Sequence, residues 1–466
     1  MQEQLQAVLS RIVPDYRGLT RLERLPQGAS AETYEVRVDA GAGPMKICLR
    51  RAAGGSEVAG PKPGLRVQAR LMQLAAEGGV PAPEILHVLE PSDGLGDGFL
   101  MGWVEGESLG SRIVRSERWA EIRPRLAREC GEVLARIHAI DLDDEGLAGS
   151  LARTQAREEV EQTWERYKLL ESPQPMIDYT GRWLLDHLPP PTENRLVHAE
   201  FRNGNFIIDE SGIRAVLDWE MAHVGDPMRD LGWLCNNSWT YGNTALPVGG
   251  FGTVDQLVEG YEATTDAPVD RDRLHFWTVF GSFWWSVTCL TMVTLFREGP
   301  DRSIERAAIG RRSSEAQIDC VNLLIPGPVD RPDAATEEST LDLPRSDELL
   351  TATVELLRGD VMESTSGRLN FLARVAANSL DIVIREGRLG PRARRQEHGR
   401  LEALFGEGDL QELRWHLARG LRSGDVVLEL PGLAEHLRQA VVDQISIDQP
   451  RYSGLKSALV RDTPHV

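Results

Sequence analysis

Leu196-Val197-His198-Ala199-Glu200-Phe201-Arg202-Asn203-Gly204-Asn205-Phe206-Ile207-Ile208 runs into the turn formers Asp209-Glu210-Ser211-Gly212. Ile213-Arg214-Ala215-Val216-Leu217-Asp218-Trp219-Glu220 follows. Residues 206–208 and 213–217 are short apolar runs on either side of that turn, which predicts an antiparallel hairpin. The chain enters the hairpin at Asn205 and leaves it at Asp218, and the two ends of a hairpin are neighbours. The pairing therefore gathers Glu200, Asn205 and Asp218 at one mouth. Two carboxylates and an amide are hard oxygen donors that suit Mg²⁺, an ion usually held by one or two carboxylates plus substrate phosphates. Phosphoryl transfer needs this equipment: a metal against the phosphates, a carboxylate on the attacking hydroxyl, and a loop over the phosphates.

Upstream, Leu22 and Leu25 precede Gln27-Gly28-Ala29-Ser30, and residues 33–38 alternate with period two. A Gly-rich turn over 39–44 leads to another strand at 45–50, so this region predicts an antiparallel meander. Residues 66–76 carry Val67, Leu71 and Leu74 on one helical face, stopped by Gly78-Gly79. Strands are expected at 85–89 and 98–104. From Glu105 onward the spacing is mainly helical, with a long helix over 119–140 and helices from about 229 to 324. Residues 276–296 are apolar but Trp-rich and contain Ser, Thr and Gly, which reads as a buried core helix.

The motifs resemble the aminoglycoside-phosphotransferase and choline-kinase branch of the protein-kinase-like fold. They are most similar to the kinase-like domain fused to some acyl-CoA dehydrogenases, because 216–227 reads Val-Leu-Asp-Trp-Glu-Met-Ala-His-Val-Gly-Asp-Pro and Asp230-Leu231-Gly232-Trp233-Leu234 follows. The resemblance covers about residues 20–325. It implies an α+β, two-lobed fold: a small antiparallel β N-lobe over 1–104 and a mainly helical C-lobe over 105–325. It also implies ATP and Mg²⁺ as cofactors, and a small-molecule hydroxyl as acceptor, with a hydroxyacyl-CoA suggested by the dehydrogenase-linked relatives.

Residue by residue, the resemblance makes Glu200, His198 and Arg202 the catalytic candidates, with Glu200 in the place of the base. Asn205 and Asp218 become the metal ligands. Gly28, Ala29 and Ser30 become the phosphate-covering loop and Arg50 the cation of the third strand. Met101, Trp103 and Val104 belong to the hinge that reads adenine. Asp226 and Asp230 look structural. Arg50 stands in place of a lysine, and two further departures weigh more: His-Ala-Glu replaces the usual His-Gly-Asp, and the helix carboxylate expected to pair Arg50 is the neutral Gln68. They keep alive a second reading, a degenerate kinase that binds nucleotide or CoA without transfer. A third reading makes the protein an assembly module acting through its C-terminal helices.

Three prolines between 326 and 332 and a polar stretch beyond them predict a linker over 326–344 with few contacts crossing it. Residues 345–466 then read as an all-α bundle, one of its helices ended by Gly387, and it resembles a small helical domain of unknown function found beside such kinases. Protein partnership or self-association is expected of that bundle. Arg392, Arg394, Arg395 and Arg400 read as a solvated face. The 466 residues carry a net charge of −19, which repels nucleic acid and anionic membrane surfaces. Five cysteines with no C-x-x-C spacing suggest neither a disulfide framework nor a zinc site, and a cytoplasmic setting is expected.

Overall fold

The structure, a computed structural model, describes residues 1–25, 31–52, 62–142, 147, 149–265, 268–299, 302–333 and 344–460. Helix α1 (Gln2–Ile12) buries Leu5, Val8 and Leu9. Strands β1 (Gly18–Arg24), β2 (Ala31–Ala40) and β3 (Gly43–Ala52) form the expected meander. Along β2, Tyr34, Val36 and Val38 alternate into the core beside Ile47 and Leu49 of β3, as period-two patterning requires. Helix α2 (Leu65–Glu77), β4 (Ile85–Val88) and β5 (Gly98–Gly102) complete the lobe, whose sheet is antiparallel in the order β1-β2-β3-β5-β4. The two-lobed kinase-like fold with an antiparallel N-lobe, and helices beyond it, is thus present.

Helices α3 (Gly110–Arg115), α4 (Arg123–His138), α5 (Ala156–Lys168) and α6 (Pro175–Asp186) follow. The long helix expected over 119–140 begins only at Arg123, with Pro124 in its first turn, where a missing N–H costs nothing. Then come β6 (Arg195–Val197), β7 (Phe206–Asp209), β8 (Gly212–Val216) and β9 (His223–Gly225). The hairpin β7–β8 is the predicted one, pairing Phe206 with Val216. Strand β9, which pairs with β6, was not anticipated. Helices α7 (Met228–Leu234), α8 (Val254–Glu262) and α9 (Arg271–Glu298) follow. By length and composition alone α9 could cross a membrane, yet 56% of its most apolar window is buried in the protein.

The chain continues through α10 (Ile304–Gly310), α11 (Ser313–Leu324), α12 (Ser346–Leu356), α13 (Gly367–Phe405), α14 (Leu410–Ser423), α15 (Leu433–Asp448) and α16 (Ser453–Leu459). Gly387 ends no helix: α13 runs on through Gly387 and Pro391. A glycine costs about 1 kcal/mol and a proline about 3 kcal/mol in a helix interior. The apolar side chains on both sides, from Ala377 and Ile382 to Ala393 and Leu401, are buried and outweigh that cost. The arginines expected on a solvated face are partly ion-paired, Arg400 with Asp443 at 3.3 Å and Arg392 with Asp333 at 3.1 Å.

Two compact units emerge, and their boundary is not the linker over 326–344, of which 334–343 lie outside the described residues. One unit is Met1–Ala156 with Pro189–Thr278, and the other is Arg157–Leu188 with Val279–Val466. The second unit has one apolar core to which α6 gives Met176 and Tyr179, α11 gives Ile318 and Val321, α14 gives Leu413, Leu417 and Leu421, and α15 gives Leu437, Val441 and Ile445. The proline-rich stretch joins in. Val329 is buried in this core, Arg438 donates to the carbonyls of Ile325 and Pro326, and Gln439 donates to that of Asp330. Few contacts were expected to cross here. Many do, because α6 and α11 present apolar faces that the C-terminal helices cover.

Candidate active site

The hairpin mouth is closed by backbone: the Leu217 amide donates to the Asn205 carbonyl at 2.7 Å. Gly204 makes the turn into it, with φ +112, and a Cβ there would sit 2.5 Å from the Arg202 guanidinium. Ala199 and Asp218 also adopt left-handed backbone, φ 68 and 65. For a residue with a Cβ that conformation costs roughly 1–2 kcal/mol and persists only when its surroundings enforce it.

Asp230 supplies the enforcement at Ala199. Its carboxylate accepts the amides of His198 and Ala199 at 2.8 and 2.7 Å, and His138 Nε2 lies 3.1 Å away. Burial alone would raise the Asp230 carboxyl, but the bonds from His138 and His198 hold it below its ordinary value. Arg229 donates to the Ala199 carbonyl at 2.9 Å. The loop's strained start is thus clamped from both of its backbone faces.

His198 is wholly buried. Its Nδ1 accepts the Glu200 amide at 3.3 Å, so Nε2 carries the proton and donates to the Leu217 carbonyl at 3.0 Å. Burial holds the ring neutral by lowering its pKa. His198 therefore ties the Glu200 backbone to the residue preceding Asp218, and works as a positioning residue.

Of the expected trio Glu200, Asn205 and Asp218, Asn205 meets Glu200 directly, and Arg202 joins them. The Asn205 amide nitrogen donates to the Glu200 carbonyl at 2.9 Å and reaches its carboxylate at 3.4 Å. That leaves the Asn205 amide oxygen for a cation. Arg202 Nε stands 3.5 Å from Glu200 Oε2, and the guanidinium lies 4.2 Å from the Trp239 ring centroid. Burial pushes the Glu200 carboxyl up, Arg202 pulls it down, and Asp218 pushes it up again.

Arg202, Asn205 and Asp218 line a cavity of about 550 Å³, which Glu200 adjoins through the first two. That is a normal size for a small-molecule or cofactor site. Met101, Trp103 and Val104 form part of its wall, with Phe99, Met72 and Cys48 beside them, and Arg50 and Gln68 line it too. Arg50 Nη2 binds Asp218 Oδ1 at 2.8 Å. Gly28, Ala29 and Ser30, assigned to the phosphate-covering loop, lie outside the described residues. An Asp carboxylate and an Asn amide oxygen on one wall fit a Mg²⁺ that completes its shell with phosphate oxygens and water.

Several pairings went unread. Lys62 reaches Glu220 at 2.9 Å, and Glu220 also lies 3.6 Å from Arg50. His138 and Tyr261 join the Asp230 hub through a 2.9 Å bond. No local signal marks these pairings, since the partners stand 158 and 123 residues apart.

Residues 21–267, more than half of the chain, match the sequence profile described as the phosphotransferase enzyme family. Residues 363–452 match DUF6285, a domain of unknown function. Mouse acyl-CoA dehydrogenase family member 10 is 29% identical over 232 residues, 47% of this chain and 20% of that protein. Chicken acyl-CoA dehydrogenase family member 11 is 33% identical over 186 residues, 38% of this chain and 23% of that one. The chain thus spans only about a fifth of the length of these relatives. A crystal structure from Ralstonia eutropha, of a protein assigned as an aminoglycoside phosphotransferase, shares the fold. Its TM-score is 0.56 at 23% identity, over 68% of this chain and 96% of that one. With the profile covering both sheet lobe and hairpin mouth, this chain belongs to the phosphotransferase enzyme family.

Proposed function

We propose that the protein transfers the γ-phosphoryl group of ATP to a hydroxyl of a small molecule, with Mg²⁺ bound at Asp218 and Asn205. The observation that carries this reading is the junction of Glu200 with Asn205, a residue that lines the same cavity as the paired Asp218 and Arg50. The acceptor oxygen forms the new bond to the γ-phosphorus, the bond from that phosphorus to the β–γ bridging oxygen breaks, and ADP leaves. The acceptor's proton passes to a Glu200 carboxylate oxygen. Burial suits Glu200 to that task by bringing its basicity closer to that of a useful general base. His198 and Asp230 hold the loop, so the longer Glu side chain works from a fixed backbone. Arg50 faces the phosphates, and the 99–104 wall takes the adenine. The metal, when bound, neutralises phosphate charge. A hydroxyacyl-CoA is the acceptor to test first, because the matched relatives carry acyl-CoA dehydrogenase in their names.

The test is a screen of ATP turnover with Mg²⁺ over hydroxyacyl-CoAs, amino alcohols and sugars. On a true acceptor, Glu200→Gln lowers kcat by about 10²–10⁴-fold with ATP affinity nearly unchanged. Asp218→Ala loses most of the melting-temperature rise that Mg-ATP gives the parent. Full turnover by Glu200→Gln, or undiminished Mg-ATP binding by Asp218→Ala, overturns the assignment.

A further inference from the structure

Helix α2 should carry the carboxylate that holds the strand cation, and it carries Gln68. That side chain is buried, uncharged, and committed to backbone, its amide nitrogen donating to the Pro63 carbonyl at 2.9 Å. Arg50 is nonetheless flanked by two carboxylates. Asp218 Oδ1 is 2.8 Å from Arg50 Nη2, and Glu220 Oε2 is 3.6 Å from the same nitrogen. Glu220's other oxygen binds Lys62 Nζ at 2.9 Å. Lys62, Glu220, Arg50 and Asp218 thus form a chain of alternating charge. All four are half-buried or better, the most exposed being Asp218 at 36% and the rest at 16–19%. Arg50 Nε is buried with no hydrogen-bond partner among the described residues, so the guanidinium has a donor to spare.

We infer that Glu220, reaching from the segment after the hairpin, replaces the missing helix carboxylate. It is the positioning residue that holds Arg50, and with it Lys62, on the phosphate side of the site. This rests on the proposed phosphotransferase reading and deepens it. In the structure Arg50 is bound chiefly to Asp218, the residue assigned to the metal. A metal that takes Asp218 removes Arg50's nearer partner. Glu220 stands within a small rotation of the same nitrogen and keeps the guanidinium in place beside the cavity. Without Glu220, Arg50 is left among the described residues with Asp218, and cation and metal would compete for one carboxylate. Lys62 would meanwhile add repulsion with no carboxylate between the two cations.

The inference separates from a plain charge effect. Removing a carboxylate near phosphates would by itself tighten nucleotide binding. Loss of positioning lowers turnover instead, since a misplacement of about 1 Å costs about a hundredfold. The experiment measures ADP release from Mg-ATP with water as the sole acceptor, and nucleotide affinity by titration. Four proteins are compared: parent, Glu220→Gln, Gln68→Glu, and the double variant.

Glu220→Gln is expected to lose between about tenfold and a hundredfold in kcat, with ATP affinity equal or tighter. Gln68→Glu places a carboxylate on α2, in the lining of the cavity that Arg50 also lines. A carboxylate cannot donate to the Pro63 carbonyl as Gln68 does, which frees it to pair with a cation. The double variant is therefore expected to recover most of the lost rate, a coupling that a general loss of fold would not show.

Parent-like kcat in Glu220→Gln, or no recovery in the double variant, overturns the inference and leaves the phosphotransferase reading standing. Recovery of Glu220→Gln by raising Mg²⁺ alone makes Glu220 a metal ligand, which also overturns it. Absence of ATP turnover by the parent, with water and with every acceptor screened, overturns both.

Discussion

Glu200 carries one methylene more than the aspartate usual at its position, and the loop receives it on a backbone fixed at three points. The amides of His198 and Ala199 are held by Asp230, and the Glu200 amide by His198. Placement comes from the loop, while protonation comes from the surroundings of the carboxylate, and these two can be tested apart. Burial raises the Glu200 carboxyl and Arg202, at 3.5 Å, opposes that rise. A general base must be ionised, so turnover falls as pH drops through its pKa. The acid limb of kcat is expected to have its midpoint above the ordinary glutamate value of about 4.3. Arg202→Met removes the opposing cation, and the limb should move to still higher pH, whatever happens to the rate at its plateau. A limb that stays in place or moves down would mean that Glu200 is not the titrating group. Asn205 and Asp218 were legible in the sequence because a hairpin fixes their spacing, and Glu200 because its loop leads into that hairpin. The pairing of Arg50 with Asp218 and of Glu220 with Lys62 was not, because these residues meet only through the fold.

At the scale of elements, the sequence yielded what local period and turn chemistry determine: the meander β1–β3, helix α2 and the hairpin β7–β8. It missed β9, three residues long and given meaning only by pairing with β6. It stopped α13 at a glycine because propensity is local, whereas burial on either side of Gly387 is tertiary. The junction of α6 with α14 is of the same tertiary kind. Asp178 on α6 is fully buried and accepts from Trp164 at 2.8 Å and Tyr167 at 3.1 Å. It also receives a two-pronged contact from Arg422 on α14 at 2.7 and 3.2 Å. The Arg422 guanidinium lies over Tyr167 and Trp415, 5.1 and 5.4 Å from their ring centroids. Removing one member strands the other's charge, a loss of about 3–5 kcal/mol for a buried pair. Asp178→Ala should therefore destabilise the unit that includes α14 by that order, read as a fall in the urea midpoint of its unfolding transition. Asp178→Asn keeps an acceptor for Trp164 and should lose less. Equal midpoints for Asp178→Ala and the parent would show that this junction adds nothing to stability.

For the whole molecule, composition located the proline-rich break at 326–332 and took it for the edge of a domain. Such a reading follows backbone stiffness and polarity and is blind to which apolar faces need covering. Met176, Tyr179, Ile318 and Val321 come from before the break, and Leu413, Leu417, Leu437 and Val441 from after it, yet they share one buried core. The DUF6285 helices therefore complete a core begun by the phosphotransferase part of the chain. A cleavage site introduced within 334–343 and cut by its protease should give two fragments that co-elute in gel filtration and separate only in denaturant. The burial that holds them is apolar and continuous, at about 25 cal/mol for each Å² removed from water. The fragment ending at Asp333, expressed alone, should expose those α6 and α11 side chains and aggregate or melt well below the full chain. If that fragment is soluble and melts like the parent, the two parts fold independently and the shared core is dispensable. If it aggregates but is rescued by adding residues 345–466 in trans, the C-terminal helices are a structural half of the second unit, and their loss reaches the phosphotransferase part through stability.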